Sequence, residues 1–123
     1  MTPFATTELP STPDAIAPDG SEVRLLCRVA GGSMAHFRLP PGACSKAVVH
    51  RTVEELWFVT AGEGELWRRG GGEEDIVALR AGVSVTIPVG TVFQFRAVPR
   101  VPSFLSRKAL VTRDRPIPAG YTM

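Results

Sequence analysis

His50-Arg51-Thr52-Val53-Glu54-Glu55-Leu56-Trp57-Phe58-Val59-Thr60-Ala61-Gly62, followed by Gly82-Val83-Ser84-Val85-Thr86-Ile87-Pro88-Val89-Gly90-Thr91-Val92-Phe93, is the stretch that decides the fold. In both halves a short run of apolar and polar residues in alternation is closed by Gly or Pro. That is the pattern of half-buried strands punctuated by tight turns. Outward from this stretch the pattern repeats, and strands are predicted over 22–29, 33–39, 46–50, 55–61, 64–69, 73–79, 83–87, 92–97 and 103–112. The breaks carry turn chemistry: Gly31-Gly32 permits positive φ, Pro40-Pro41-Gly42 stops a strand, and Gly70-Gly71-Gly72 closes a hairpin. No amphipathic helix of useful length is legible. Many short strands separated by Gly and Pro point to an all-β sandwich or barrel, here a jelly roll.

Pro3, Pro10, Pro13 and Pro18 interrupt the start of the chain, so residues 1–20 are expected to form an extended arm through which no regular element runs. Residues 21–112 then form the β-barrel domain, and the Pro-broken segment 113–123 an irregular tail. A chain of 123 residues holds one core and no second one. Its 44% hydrophobic and 21% charged residues place it with globular domains and away from disorder. The net charge of +2 comes from arginines scattered among strands and turns, which argues against a nucleic-acid footprint. No apolar run approaches the roughly 18 residues of a membrane span, and no basic-then-apolar leader opens the chain, so a cytoplasmic protein without a membrane partner is expected. Cys27 and Cys44 have no zinc or redox spacing and are expected as two reduced thiols in or near the core.

Side chains two apart in a strand share a face. If His50 points into the barrel, Val48 and Lys46 share its side of that strand. Glu55, Trp57 and Val59 form one face of the next, and Phe93 and Phe95 share another. The cavity so drawn has one imidazole, one carboxylate and an aromatic wall of Trp57, Phe93 and Phe95 suited to a small, partly apolar molecule. His36 lies in Met34-Ala35-His36-Phe37-Arg38-Leu39, where Phe37 and Leu39 read as core-facing and turn it outward. Arg38, Arg51 and Arg96 lie near strand ends expected to border the mouth, where a guanidinium holds a carboxylate or phosphate.

The spacings Gly42-x5-Val48-x-His50-x4-Glu55-x6-Gly62 and Gly82-x5-Pro88-x-Gly90-x2-Phe93 resemble the two motifs of the cupin family. The resemblance implies a double-stranded β-helix in which the first motif supplies two His and one Glu and the second another His, all pointing into the barrel. It selects Glu55 over Glu54 as the inward carboxylate. It also implies that Val48 and Phe93 stand where members carry metal-ligating His, and neither side chain has a lone pair to give. A divalent metal usually takes at least three protein ligands, so no cofactor is expected; a metal would need His50 and Glu55 to be joined by His36, water or substrate.

Three functional readings follow. One is a small-molecule-binding cupin that works as a metal-independent acid/base enzyme of isomerase, dehydratase or cyclase type, with His50 and Glu55 as the catalytic pair and Val48, Trp57, Phe93, Phe95 and Arg38 around the ligand. Another is a noncatalytic ligand-binding or regulatory cupin. The third is a metal-dependent enzyme, such as a dioxygenase or isomerase, with a completed ligand set. The family resemblance also implies a homodimer, with the arm available to cover a partner's open strand edge.

Overall fold

The structure is a computed structural model that describes residues 3–17 and 20–98 and the backbone of 105–111. Among these residues ten strands form: β1 (Ala15–Ile16), β2 (Glu22–Val29), β3 (Gly32–Leu39), β4 (Val48–Val49), β5 (Glu55–Ala61), β6 (Glu63–Gly70), β7 (Glu73–Arg80), β8 (Ser84–Ile87), β9 (Val92–Ala97) and β10 (Leu105–Val111). They make two antiparallel sheets, a six-stranded one in the order β1-β2-β3-β10-β5-β8 and a four-stranded one in the order β4-β9-β6-β7. The architecture is an all-β jelly roll. No helix among the described residues is long and apolar enough to cross a membrane.

Alternation along each strand sends one set of side chains between the sheets. Ala35, Phe37 and Leu39 of β3, Trp57 and Val59 of β5, Leu66 of β6, Ile87 of β8, and Phe93 and Phe95 of β9 are buried there. Each of the larger aliphatic and Phe side chains among these contributes about 1.5–3 kcal/mol on burial, so the core rests on the residues that the alternation marks. The β6–β7 hairpin has Gly71 at φ 57° and Gly72 at φ 80°. Two successive positive φ values give the turn whose twist matches that of the flanking strands.

Two stretches differ from the sequence-based expectation. The arm holds a short strand after all: Ala15 and Ile16 pair with Val23 and Glu22, and the Asp14 carboxylate accepts a hydrogen bond from Leu25 N at 2.8 Å. The arm runs back along β2, where Arg24, only 5% exposed, grips it. Its Nε donates to Pro10 O at 2.8 Å and its Nη2 to Ser11 O at 3.1 Å, while Nη1 pairs with Glu22 at 3.0 Å.

The strand expected over 46–50 shrinks to Val48–Val49, because one extra residue enters the pairing with β9 between Cys44↔Arg96 and Val48↔Phe93. Such a bulge reverses the side-chain parity of the residues before it. Lys46 is therefore exposed and does not share the inward face of His50. Cys44 falls on the outer side for the same reason and is exposed, which corrects its expected place near the core; Cys27 is half-buried, and both are free thiols.

Candidate functional site

Motif by motif, the chain brings six of the expected residues together: Val48, His50, Glu55, Trp57, Phe93 and Phe95. His50 follows β4 and is fixed through its backbone: the turn at Pro88–Gly90 sends the Gly90 N–H to His50 O at 2.8 Å. Gly90 makes this turn at φ 81°, a conformation that a side chain strains. The imidazole, 6% exposed, then meets Glu55, whose side chain has 0% exposure, with Nε2 and Oε2 2.9 Å apart. The other carboxylate oxygen, Oε1, accepts from Trp57 Nε1 at 2.7 Å. Glu55 and Trp57 sit two apart on β5, so one strand face delivers both.

The result is a chain of three polar groups, Trp57–Glu55–His50, in which each carboxylate oxygen faces a donor. A buried carboxylate without such partners would cost several kcal/mol. Aromatic rings jacket the chain. Phe93 lies 5.5 Å from the His50 ring at a 40° tilt, and the Trp57 ring packs edge-on against Phe93 and Phe95, each at 5.5 Å. Val48 is half-buried against the core and stands directly opposite Phe93 in the β4–β9 register. The two positions at which the motif resemblance implies additional His ligands are thus cross-strand neighbours, filled by one apolar pair.

This donor set does not fit a divalent metal. It offers one imidazole and one carboxylate, the carboxylate already takes the Trp57 N–H, and Phe93 packs on the imidazole. Among the described residues no three His, Cys, Asp or Glu side chains converge. His36 does not complete the set. It faces away from Phe37 and Leu39, in register with Arg24 on the outer side of the six-stranded sheet, and is buried there at 8% exposure. A sheet therefore separates it from His50.

The guanidinium groups do not border the pair either. Arg38 shares the outer face of β3 and lies 3.8 Å from Glu22, and Arg51 is exposed in the turn after His50. Arg96 alternates with the inward Phe95 and so points outward, where it bonds Glu65. A cleft of about 360 Å³ is bordered by Glu54, Glu55, Leu56, Thr86, Ile87 and Pro88. It stops short of the pair, because the Glu55 carboxylate has no exposed surface.

Two interactions add to the sequence-based expectation. Trp57 stands on the inward face where an aromatic wall is expected, and its indole N–H also bonds Glu55 Oε1; the signal is the i, i+2 placement of donor and acceptor on one face. Arg24 left no signal, since its partners are backbone carbonyls of the arm.

Residues 35–102 match the family model described as Cupin domain. Among solved structures the chain is similar to the Drosophila melanogaster CENP-C cupin domain, with TM-score 0.66 and 17% identity over 76% of this chain and 66% of that chain. That protein has also been solved bound to CAL1. The chain is likewise similar to an oxalate oxidase, with TM-score 0.65 and 25% identity over 79% of this chain and 53% of that one. KdgF from Halomonas sp. matches with TM-score 0.61 and 18% identity over 76% of this chain and 80% of that one. The chain thus spans just under two thirds of the first and about half of the second. No curated protein sequence matches it.

Proposed function

The chain belongs to the cupin family, and from that premise we propose that it is a noncatalytic, metal-independent ligand-binding member whose former metal position has become part of the core. The observation that carries this reading is the state of Glu55: both oxygens engaged, side chain wholly buried, and the partner imidazole under Phe93. A group so enclosed positions the barrel wall and leaves binding of a small, partly apolar molecule to the outside of the barrel.

The decisive test is a metal and stability measurement on untagged protein. The proposal expects substoichiometric metal, and the same Tm with EDTA, Zn²⁺, Co²⁺ or Mn²⁺. Stoichiometric metal whose removal lowers Tm, and which a His50→Ala variant no longer binds, would favour the metal-dependent reading instead.

One observation favours a second reading, acid/base catalysis: Nε2 of His50 and Oε2 of Glu55 stand at 2.9 Å, within proton-transfer reach. It requires the aromatic jacket to open to a substrate, and turnover lost in Glu55→Gln with ligand binding kept would establish it.

We also propose that the protein is a homodimer. Leu56 and Phe58 on the outer face of β5, and Met34 on that of β3, are exposed large apolar side chains on one sheet. Light scattering that finds a monomer at micromolar concentration rejects this.

A further inference from the structure

The outer face of the four-stranded sheet carries a groove that the barrel site does not use. Its floor is one cross-strand row: Gln94 of β9, Trp67 of β6 and Ile76 of β7 are direct neighbours in the register. The next row places Arg96 beside Glu65, with Cys44 bridged to Arg96 on the far side. Together these residues line a cavity of about 480 Å³. That falls within the roughly 300–1,000 Å³ typical of small-molecule sites.

Three features say what such a groove accepts. First, the indole is held in place: its Nε1 donates to Glu74 Oε2 at 2.9 Å, and the Arg69 guanidinium sits 5.3 Å from its ring centroid. Beside it Ile76 is 66% exposed, an apolar side chain on a solvent-facing strand. A fixed aromatic platform next to an exposed aliphatic wall offers flat apolar contact at little entropic cost.

Second, the rim is polar and planar. The Gln94 amide is oriented by its Nε2 bond to Ser45 O at 2.8 Å, and the Arg96 fork is oriented by bonds from Nε and Nη2 to Glu65 Oε1. Planar amides, carboxylates and guanidinium groups hold adjacent hydroxyls in pairs.

Third, the charges cancel. Arg96 and Glu65 form an ion pair, and Arg69 stands directly opposite Glu74, so two cations meet two anions around the indole. A charged ligand gains no net attraction here and has to displace an existing pair.

The geometry points to this groove as the binding site for a neutral carbohydrate, whose C–H face lies against Trp67 and Ile76 and whose hydroxyls reach Gln94, Glu65 and Arg96. The inference rests on the reading that binding falls to the outside of the barrel, and it names that site and its ligand class.

The test is a ¹H–¹⁵N titration of the full chain with maltose, cellobiose and lactose, and with glucuronate and glucosamine as charged comparators. The two Trp indole signals are assigned by their loss in Trp57→Phe and Trp67→Phe. The expected result is a saturable shift of the Trp67 indole and the Gln94 side-chain amide by at least one neutral sugar, with Trp57 unmoved. Affinity should fall about tenfold or more in Trp67→Ala. Ile76→Glu, a change at an exposed position that leaves the fold intact, should weaken it as well. Tighter binding of either charged sugar overturns the neutral class. Failure of every neutral sugar to move Trp67, or a Trp67 shift that tracks protein concentration alone, overturns the groove while leaving the sealed interior standing. Movement of Trp57 in place of Trp67 puts the ligand inside the barrel and overturns both.

Discussion

Glu55 is the residue on which the site turns, because two buried donors depend on it. Glu55→Ala removes the carboxylate that Trp57 Nε1 and His50 Nε2 both meet, and losing the partner of a buried polar group costs about 1–3 kcal/mol. A loss of about 3 kcal/mol or more is expected in urea unfolding, a large part of the roughly 5–15 kcal/mol typical of a domain. Glu55→Gln should lose much less. Its amide oxygen still accepts from Trp57, and the imidazole has a tautomer that accepts from the amide. Equal losses in the two variants would show that the carboxylate's contacts are not what stabilises the barrel.

Val48 and Phe93 allow the converse experiment. Since they are neighbours across β4–β9, Val48→His with Phe93→His puts two imidazoles beside His50 and Glu55. The double variant is expected to show Co²⁺ absorption bands that the parent lacks; their absence would mean that Trp57 holds Glu55 too firmly to release it. The inward parity of Glu55, Trp57, Phe93 and Phe95 was legible in the sequence, because period-2 alternation fixes a strand's faces. The bonding between them was not. Alternation says which way a side chain points and nothing about which polar atom it meets, so the aromatic face of Trp57 was legible and its bond to Glu55 was not. Lys46 was misplaced for a related reason: a bulge adds one residue, and composition does not mark it.

At the scale of elements, turns and arm were legible to different degrees. The three glycines that close β6 and follow it announced a hairpin, and the turn uses positive φ at Gly71 and Gly72. A Cβ at Gly72 would meet nothing within 4 Å, so Gly72→Ala should cost about 1 kcal/mol from backbone strain alone. Gly31 is the control. It also has open space but no left-handed φ, and Gly31→Ala should leave Tm unchanged or slightly raised. Prolines in the arm gave no sign of the short pairing of β1, which depends on tertiary contacts with β2. Arg24 holds the part of the arm before Asp14 through the carbonyls of Pro10 and Ser11. Arg24→Met should make residues before β1 cleavable in limited proteolysis while the barrel stays intact, and Arg24→Lys should not restore protection, because one ammonium cannot span the two carbonyls. Continued protection in both variants would place the hold elsewhere.

For the whole molecule, the sheet order was beyond the sequence because local patterns do not say which strands pair. The last described strand, β10, lies between β3 and β5, so the six-stranded sheet closes only when β10 is in place. Ala109 pairs with Ala35 on one side and Trp57 on the other. Ala109→Pro removes a ladder donor from a central strand and should abolish cooperative folding. A soluble variant with a normal unfolding transition would refute that placement. The closed sheets and their aromatic filling are also what seal the pair in the interior. Hydrogen exchange of the two indole N–H groups reads that sealing directly. The Trp57 indole, bonded to buried Glu55, is expected to exchange only through global unfolding, with the same free energy as urea denaturation, while the indole of Trp67 at the surface exchanges far faster. Fast exchange at Trp57 under native conditions would contradict the account, since it would show an interior that opens to water and to substrate.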